Sequence, residues 1–421
     1  MPASPQSLCE FIDASPSPFH VCVTVAERLR DAGFTELSES DAWPGDAGDY
    51  FTVRAGSLVA WRSADAEAPF RIVGGHTDSP NLRVKPNPDH SRAGWQLLGI
   101  EPYGGLILSS WLDRDLGLAG RVAVRGAGGV ESRTFHGRDA LLRVAQLAIH
   151  LDRTQNEALT LNKQAHMEPI WGVGDEPGDF VGYLAEQVGV DRDDVLSWDV
   201  MTHPIQPSTR LGRARELIAA PRLDNLATSY AGVRALLDAV ATEPAHVPVL
   251  VLFDHEEIGS TSERGATSTL LPSVLERIVA SAGGSRDDYW RALAGTVIAS
   301  GDMGHATHPN YADRHEPMHQ ILVNGGPVLK VNTNLRYATD SVGAAAFRLA
   351  CEQAGVPMQT FVTRSDLPCG STVGPVTSSL TGATTVDFGA AMLSMHSTRE
   401  LMGAEDPAMY AGALSAFLAP A

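Results

Sequence analysis

Apolar and polar positions in the second half of the chain predict strands that alternate with helices. Val247–Phe253 is an unbroken apolar run of strand length between predicted helices at Leu223–Val240 and 268–282. The alternation continues with strands at 296–300, 359–363 and 384–388 and helices at Ser341–Ala354 and 404–418. Because these strands are apolar on both faces, the pattern predicts an α/β fold with a mainly parallel sheet flanked by helices.

The N-terminal segment predicts one helix and three short strands. Ser17 suits the capping position of a helix and Pro18 its first turn, while Gly33 suits its end. The predicted apolar face of this helix consists of Val21, Val25 and Leu29. The predicted strands are 51–54, Ser57–Arg62 and 70–74, and the last of them runs directly into the sequence GGHTDSP.

The sequence between the two predicted α/β segments differs from them in composition and in its predicted secondary structure. Residues 81–214 are rich in glycine and carry short β-like runs, WQLLGIE, GLILSSW and GRVAVRG, with one helix-like stretch at 179–188. We therefore expect a catalytic domain made of residues 1–80 and 215–421, interrupted by a β-rich domain at 81–214.

Composition and charge exclude several classes of function. The 421 residues are 43% hydrophobic and 19% charged, which is ordinary for a two-domain globular protein. A formal net charge of −18 argues against nucleic acid or an anionic membrane as partner. Cys9, Cys22, Cys351 and Cys369 show no CxxC spacing, and no run is long and apolar enough for a bilayer or a signal peptide. We expect a cytoplasmic protein with reduced thiols.

Three predicted strands end in residues that bind metals. These residues are His76 and Asp78 after the first strand, Glu256 and Glu257 after the second, and Asp302 and His305 after the third. In open α/β sheets the carboxyl ends of the strands form the functional edge, so these side chains are expected to converge. Asp224 in PRLDNL and His396 in SMHSTRE are two further candidates. Alone, Asp224 could be a helix cap, a single histidine could be structural and a glutamate pair could be solvated, but together they favour a metal site.

The residue types suit zinc. Zinc binds imidazole nitrogen and carboxylate oxygen, and a two-metal site needs a carboxylate that bridges the ions. Two histidines and three carboxylates suffice for such a site. Asp78 lies two residues after His76 and could accept the second ring N–H. In the pair Glu256 and Glu257, one side chain can bind metal while the other acts as general base.

Five motifs resemble the aspartyl aminopeptidase family and occur in the same order as in that family. They are GGHTDSP, PRLDNL, DHEEIGS, GDMGHATHPNY and SMHSTRE. SSWLDRDLGLAGRV and LAIHLDR also resemble that family, and the likeness runs from about residue 8 to 418. Gly301 and Gly304 stand where alanine is expected in eukaryotic members. The resemblance implies a zinc-peptidase-like catalytic domain with an inserted β-rich dimerisation domain.

The resemblance also implies roles for individual residues. His76 and His396 would be terminal metal ligands, Asp224 the bridging carboxylate, Glu257 and Asp302 the remaining ligands, and Glu256 the base that deprotonates the bridging water. We count Asp78, through its expected support of His76, as the second catalytic residue. His305, Lys330 and Tyr337 would contact substrate, and His150 would reach the active site of a neighbouring subunit. Other interpretations stay open: His150 as a helix-capping residue, a core residue or a metal ligand, Lys330 as a surface lysine, and residues 370–374 as a substrate loop or a plain helix start.

The expected function is removal of the N-terminal residue from peptides, with Asp or Glu favoured. The resemblance implies two zinc ions per subunit, with cobalt or manganese as alternatives. It also implies a homo-oligomer built from dimers, for which a dodecamer is one candidate. The alternatives are a two-metal aminopeptidase of broad or neutral specificity and a self-assembling shell protein with a vestigial site. The complete ligand set argues against a vestigial site.

Overall fold

The computed structural model describes residues 3–63, 65–242 and 244–421. The chain divides into two units, each with its own core. The first consists of Met1–Asp78, Ser208–Met395 and Glu400–Ala421, and the second of Ser79–Pro207 and His396–Arg399. Among the described residues, no helix is both long enough and apolar enough to cross a membrane.

The helices begin and end close to the predicted positions. They are α1 (Pro5–Ala14), α2 (Pro18–Asp31), α3 (Phe180–Val188), α4 (Leu223–Val240), α5 (Leu270–Ser281), α6 (Arg286–Ala294), α7 (Ser341–Ala354), α8 (Gly374–Thr381) and α9 (Asp406–Leu418). The Ser17 side chain accepts the N–H of His20 at the start of α2, which confirms the predicted cap. The sequence interpretation missed α1 and α6, although Ser4 and Ser285 both form capping boxes.

The strands also follow the predicted pattern in most places. They are β1 (Thr35–Glu36), β2 (Asp49–Arg54), β3 (Ser57–Arg62), β4 (Phe70–His76), β5 (Asn81–Arg92), β6 (Trp95–Tyr103), β7 (Leu116–Gly126), β8 (Gly129–His136), β9 (Ile170–Val173), β10 (Val195–Pro204), β11 (Thr209–Leu211), β12 (Leu217–Ala220), β13 (Val247–Phe253), β14 (Val297–Gly301), β15 (Gly304–His305), β16 (Val328–Val331), β17 (Gln359–Val362), β18 (Thr384–Gly389), β19 (Ala391–Leu393) and β20 (Glu400–Gly403). The prediction of a strand in GLILSSW is wrong, because Leu108–Trp111 forms a short 3₁₀ helix.

The first unit is built on a nine-stranded sheet of order β1-β2-β3-β13-β4-β14-β18-β16-β17. Its centre is parallel, since β4 pairs in parallel with β13 and β14, and β14 with β18. Strands β3 and β16 pair antiparallel with β13 and β18, so the sheet is mixed. The α/β class predicted from the sequence is confirmed.

Helices cover both faces of this sheet. Successive residues of β13 point to opposite faces, and Leu250 packs with α4 and α9 while Val249 packs with α5 and α6. This is why the strand reads as a continuous apolar run in the sequence. A smaller sheet of order β11-β12-β20-β19-β15 belongs to the same unit.

The second unit is β-rich, with a six-stranded sheet of order β8-β7-β10-β5-β6-β9 in which the paired strands are antiparallel. Its core includes Leu82, Leu98, Leu118 and Val200, and Phe180 of α3 packs among them. Asp179 caps α3 and Gly189 ends it in a left-handed conformation (φ 67°), which confirms the helix predicted there.

Candidate metal centre

The register of the central strands brings three strand ends together. Phe253, the last residue of β13, lies opposite His76, the last residue of β4. Ser300 of β14 lies opposite Gly74 of β4. The residues that follow these strands therefore share one edge of the sheet, as parallel pairing requires.

His76 lies at the centre of this edge and is almost completely buried. Its Nδ1 donates to the main-chain carbonyl of Asp78 over 3.0 Å, and the carboxylate of Asp78 is farther away, at 3.4 Å. Nε2 lies 3.3 Å from Oδ1 of Asp224, and 3.9 Å from both Oδ1 of Asp302 and Oε2 of Glu256. The bond at Nδ1 thus directs the other ring nitrogen towards the carboxylates.

The carboxylate of Asp78 holds the adjacent glutamates. Oδ1 accepts the backbone N–H of Glu256 and Oδ2 that of Glu257, each over 3.1 Å. His255, just before them, has a left-handed backbone (φ 66°) that turns the chain away from the end of β13. Asp78 therefore supports both His76 and the glutamate turn, through different atoms.

An ion pair between Asp254 and Arg264 also supports the turn that carries Glu256 and Glu257. This pair was not predicted from the sequence. Arg264 donates to Oδ2 of Asp254 over 2.7 Å and to Nε2 of His255 over 3.1 Å. Burial and the charge of Asp78 raise the pKa of Asp254, while His255 and Arg264 oppose that rise. The buried pair fixes the residue that precedes the turn.

Asp224 lies at the start of α4, but it does not cap the helix. Arg222 occupies the capping position, and Asp224 has a non-helical backbone (φ −83°, ψ 104°). Its carboxylate instead faces His76, so the interpretation of Asp224 as a simple cap is wrong. The Asp224 N–H donates to Oε2 of Glu400 over 3.1 Å.

These side chains form groups that fit a metal ion. His76, Asp224 and Asp302 each offer a ligand atom within 4.8 Å of the others, and so do His76, Glu256 and Glu257. Burial and the neighbouring carboxylates raise the pKa of Glu256 well above its ordinary value, against the opposing charge of His76. A cation would offset this repulsion, and the nitrogen and oxygen donors are those that zinc prefers.

The pKa of His76 reflects the same crowding of acids. Burial lowers it, but the nearby carboxylates of Asp224, Asp302 and Asp78 outweigh burial and raise the pKa of His76 well above its ordinary value. The cluster therefore attracts positive charge, whether a proton or a metal ion.

His396 and His150 belong to the second unit. His396 follows β19, and its Nδ1 donates to the carbonyl of Gly105 over 3.0 Å, which leaves the lone pair of the ring on Nε2. Backbone carbonyls commonly fix metal-binding histidines in this way. His150 is solvent-exposed in a turn, so the interpretation of it as a core residue is wrong.

Three of the predicted substrate residues, His305, Lys330 and Tyr337, form a connected group near Asp302. Lys330 lies opposite Phe361 in the parallel pair β16–β17. The ring of Phe361 is 6.1 Å from that of His305 and 6.4 Å from that of Tyr337. Nζ of Lys330 lies 5.3 Å from the centre of the Tyr337 ring. Lys330 is only 2% exposed, so the interpretation of it as a surface lysine is wrong.

Comparison with protein families identifies the chain. The family model for aminopeptidase I zinc metalloproteases (M18) matches residues 11–418. This chain belongs to the M18 family. It is therefore a zinc-dependent aminopeptidase, and the resemblance to the aspartyl aminopeptidases is confirmed.

Bacterial relatives of the M18 chain match it along nearly its whole length. The probable M18 family aminopeptidase 2 of Mycobacterium tuberculosis (strain H37Rv) is 58% identical over 427 residues, covering 99% of this chain and 98% of the relative. That of Streptomyces coelicolor is 52% identical over 421 residues, covering 98% of this chain and 97% of the relative.

Solved structures share the fold of the M18 chain. A chain of the Ape4 and Nbr1 complex is 35% identical, with a TM-score of 0.94 over 98% of this chain and 85% of that one. The mApe1 dodecamer of S. cerevisiae is 28% identical, with a TM-score of 0.85 over 98% of this chain and 95% of that one.

A steric constraint explains why position 301 of the M18 chain is glycine. A Cβ at Gly301 would lie 2.3 Å from Cγ2 of Thr228, whereas one at Gly304 would lie 3.3 Å from Cδ1 of Ile321. Alanine at position 301 would therefore force the Thr228 side chain to move, while alanine at position 304 needs only a small shift. The absence of a side chain at position 301 leaves room for Thr228 of α4 beside the end of β14, directly before Asp302.

Asp387 of the M18 chain joins the loops beside this site and was missed in the sequence. It is fully buried on β18 and accepts from Oγ1 of Thr372 over 2.5 Å and from the N–H of Ala338 over 2.6 Å. Helix α8 begins at Gly374, the last residue of the segment 370–374, as both interpretations of that segment expected. No sequence pattern predicts the role of Asp387, because its hydrogen-bond partners Thr372 and Ala338 lie on two other segments of the chain.

Proposed function

We propose that this M18 enzyme removes an N-terminal Asp or Glu from peptides with two zinc ions per subunit. One observation supports the proposal above all: a buried imidazole, that of His76, is surrounded by carboxylates whose oxygens lie within ligand distance of one another. Such a concentration of buried acids is stable only with compensating positive charge.

In the proposed site, Asp224 would be the ligand that the two ions share. His76 and Asp302 would hold the first ion with it, and Glu257 and His396 would hold the second. The grouping of His76, Asp224 and Asp302 supports the first sphere, and the bond from His396 to Gly105 supports a ligating Nε2. His396 lies in a short segment whose flanking residues, Met395 and Glu400, both belong to the first unit. Cobalt or manganese could bind the same donors.

Glu256 is proposed as the general base. Bound zinc would polarise the scissile carbonyl and lower the pKa of the attacking water. A carboxylate oxygen of Glu256 takes the proton from that water and returns it to the leaving amine. The bond from its N–H to Asp78 holds Glu256 in place, and its side chain keeps 16% of its surface exposed towards solvent.

The acidic specificity requires a cation near the substrate side chain. The chain carries a net charge of −18, so an acidic substrate is repelled by the protein as a whole. Lys330 is the proposed cation, with Tyr337 and His305 as neighbouring substrate contacts. The alternative is neutral or broad specificity. It applies if the nearby carboxylate of Asp302 neutralises the charge of Lys330, so that the lysine does not attract an acidic substrate side chain.

The second unit is proposed as the dimerisation domain of a cytoplasmic homo-oligomer. His150 is surrounded in sequence by exposed apolar residues, with Leu147 at 53% and Leu151 at 74% exposure. An exposed apolar segment of this kind favours a protein partner. We propose that it contacts a second copy and carries His150 to the partner's active site. A dodecamer, the form of the S. cerevisiae relative, is the proposed assembly.

A substrate panel tests the proposed specificity. The kcat/KM values of the wild type are measured on matched substrates with N-terminal Asp, Glu, Leu and Ala. The proposal expects the two acidic substrates to lead. A preference for Leu would contradict the acidic specificity and leave the metal centre standing.

A further inference from the structure

A buried carboxylate outside the proposed ligand set lies against the backbone of Asp224. Oε2 of Glu400 accepts the N–H of Asp224 over 3.1 Å. Glu400 is 2% exposed, and it comes from a strand 176 residues further along the chain. This carboxylate has no role in the mechanism described above.

The register of the small sheet explains why Glu400 reaches this position. Strands β12 and β20 are antiparallel, and Ala220 lies opposite Glu400. Two residues later Arg222 takes a left-handed backbone (φ 56°), and α4 begins. The first N–H groups of a helix have no acceptor within the helix, so the N–H of Asp224 needs an outside partner. A carboxylate is also favourable at this positive end of the helix.

Arg222 balances the charge of Glu400. Its guanidinium is buried and donates to the carbonyl of Ile12 over 3.1 Å. Burial lowers the pKa of Arg222 to about 10, while the charges of Asp13 and Glu400 oppose that fall. Arg222 is therefore a cationic neighbour of Glu400 beside the acidic cluster.

We propose that Glu400 is a positioning residue of the metal centre, which fixes the backbone of Asp224 so that its carboxylate faces His76. The inference rests on the proposed role of Asp224 as a metal ligand. Oδ1 of Asp224 lies 3.3 Å from Nε2 of His76, and this placement depends on the backbone that Glu400 holds. Loss of a bond that supports a ligand typically weakens metal binding by about 10–100-fold.

Two conservative variants separate the hydrogen bond from the charge. Glu400→Asp keeps the charge but withdraws the oxygen by one methylene, whereas Glu400→Gln keeps the length and an accepting oxygen but loses the charge. Fully zinc-loaded protein is mixed with excess chelator, and the release of zinc is followed with a zinc-responsive dye. We expect Glu400→Asp to release zinc at least about tenfold faster than the wild type, and Glu400→Gln to stay within about threefold.

Two further variants make the result decisive. Asp406→Asn is the matched control, because Asp406, the first residue of α9, is also a buried carboxylate that accepts backbone N–H groups, those of Asn324 and Gly326. The Asp406→Asn variant should release zinc at the wild-type rate. Thermal unfolding checks that every variant is folded. Asp224→Asn tests the assumption beneath the inference and should release zinc fastest.

Each outcome decides a separate point. Wild-type release from Asp224→Asn would overturn the proposed ligand set itself. Rapid release from Asp224→Asn with wild-type release from Glu400→Asp would overturn the role of Glu400 alone. Equally rapid release from Glu400→Asp and either Glu400→Gln or Asp406→Asn would also overturn it, since charge or general stability would then be the cause.

Discussion

Nζ of Lys330 lies 3.8 Å from Oδ2 of Asp302, and both side chains are largely withdrawn from solvent. The proposed substrate cation is therefore already next to a proposed metal ligand. Lys330 can act in two ways: it can bind an acidic substrate side chain, or it can hold Asp302 in place. These roles give different patterns of loss when the lysine is removed.

Lys330→Met should reduce hydrolysis of acidic substrates selectively. Removing one partner of a desolvated charge pair costs about 2–5 kcal/mol, which is roughly a 30-fold or larger loss of kcat/KM for N-terminal Asp and Glu. Leu and Ala substrates should lose much less, and they serve as the internal control. Equal losses on all four substrates would mean that Lys330 acts through Asp302 and does not select acidic residues.

Glu256→Gln should abolish most turnover while zinc and fold remain. General-base catalysis contributes roughly 10²–10⁴-fold, and the variant keeps the backbone bond from position 256 to Asp78. Kinetics and metal analysis on the purified variant check the expectation. Glu257→Gln is the matched comparison and should lose zinc. If the Glu256 variant loses a zinc ion and the Glu257 variant keeps both, the two roles are exchanged.

Short motifs in the sequence predicted which side chains converge at the edge of the sheet. Each strand end supplies its own proposed ligands within two or three residues, so β4, β13 and β14 could be interpreted separately and then joined by parallel pairing. Asp254 stood in the quoted motif DHEEIGS, yet its bond to Arg264 could not be foreseen, because it depends on how the following loop folds back.

Residues that act through long-range register were missed for a physical reason. Glu400 reaches Asp224 only because Ala220 pairs with it, and no local pattern encodes that pairing. The prediction of a strand in GLILSSW was wrong for a different reason. Its apolar residues fit a strand, but Oγ of Ser110 donates to the carbonyl of Ile107 over 2.8 Å and closes a turn instead.

His150→Ala and Glu256→Gln subunits should complement one another when mixed. If His150 acts in the partner's active site, a hybrid dimer contains one site with both an intact base and an intact His150. Mixing after reversible dissociation should then restore activity above that of either variant alone. Two copies of the same variant, taken through the same treatment, are the control. An active monomer in light scattering would contradict the shared site.

Arg264→Met should destabilise the fold by leaving Asp254 without its cation. Breaking a buried ion pair on one side costs about 3–5 kcal/mol, which thermal unfolding would register as a clear fall in midpoint. Arg264→Met combined with Asp254→Asn should recover part of that loss, because the buried charge is then gone. A double variant as unstable as the single one would show that the pair does not hold the turn before Glu256.

The metal content of the purified protein tests the two-zinc centre most directly. Elemental analysis against protein concentration should give two zinc ions per subunit, and hydrolysis of N-terminal Asp should disappear as a chelator removes them and return when zinc is added back. A content of one ion per subunit at full activity, or hydrolysis that survives complete removal of metal, would contradict the account.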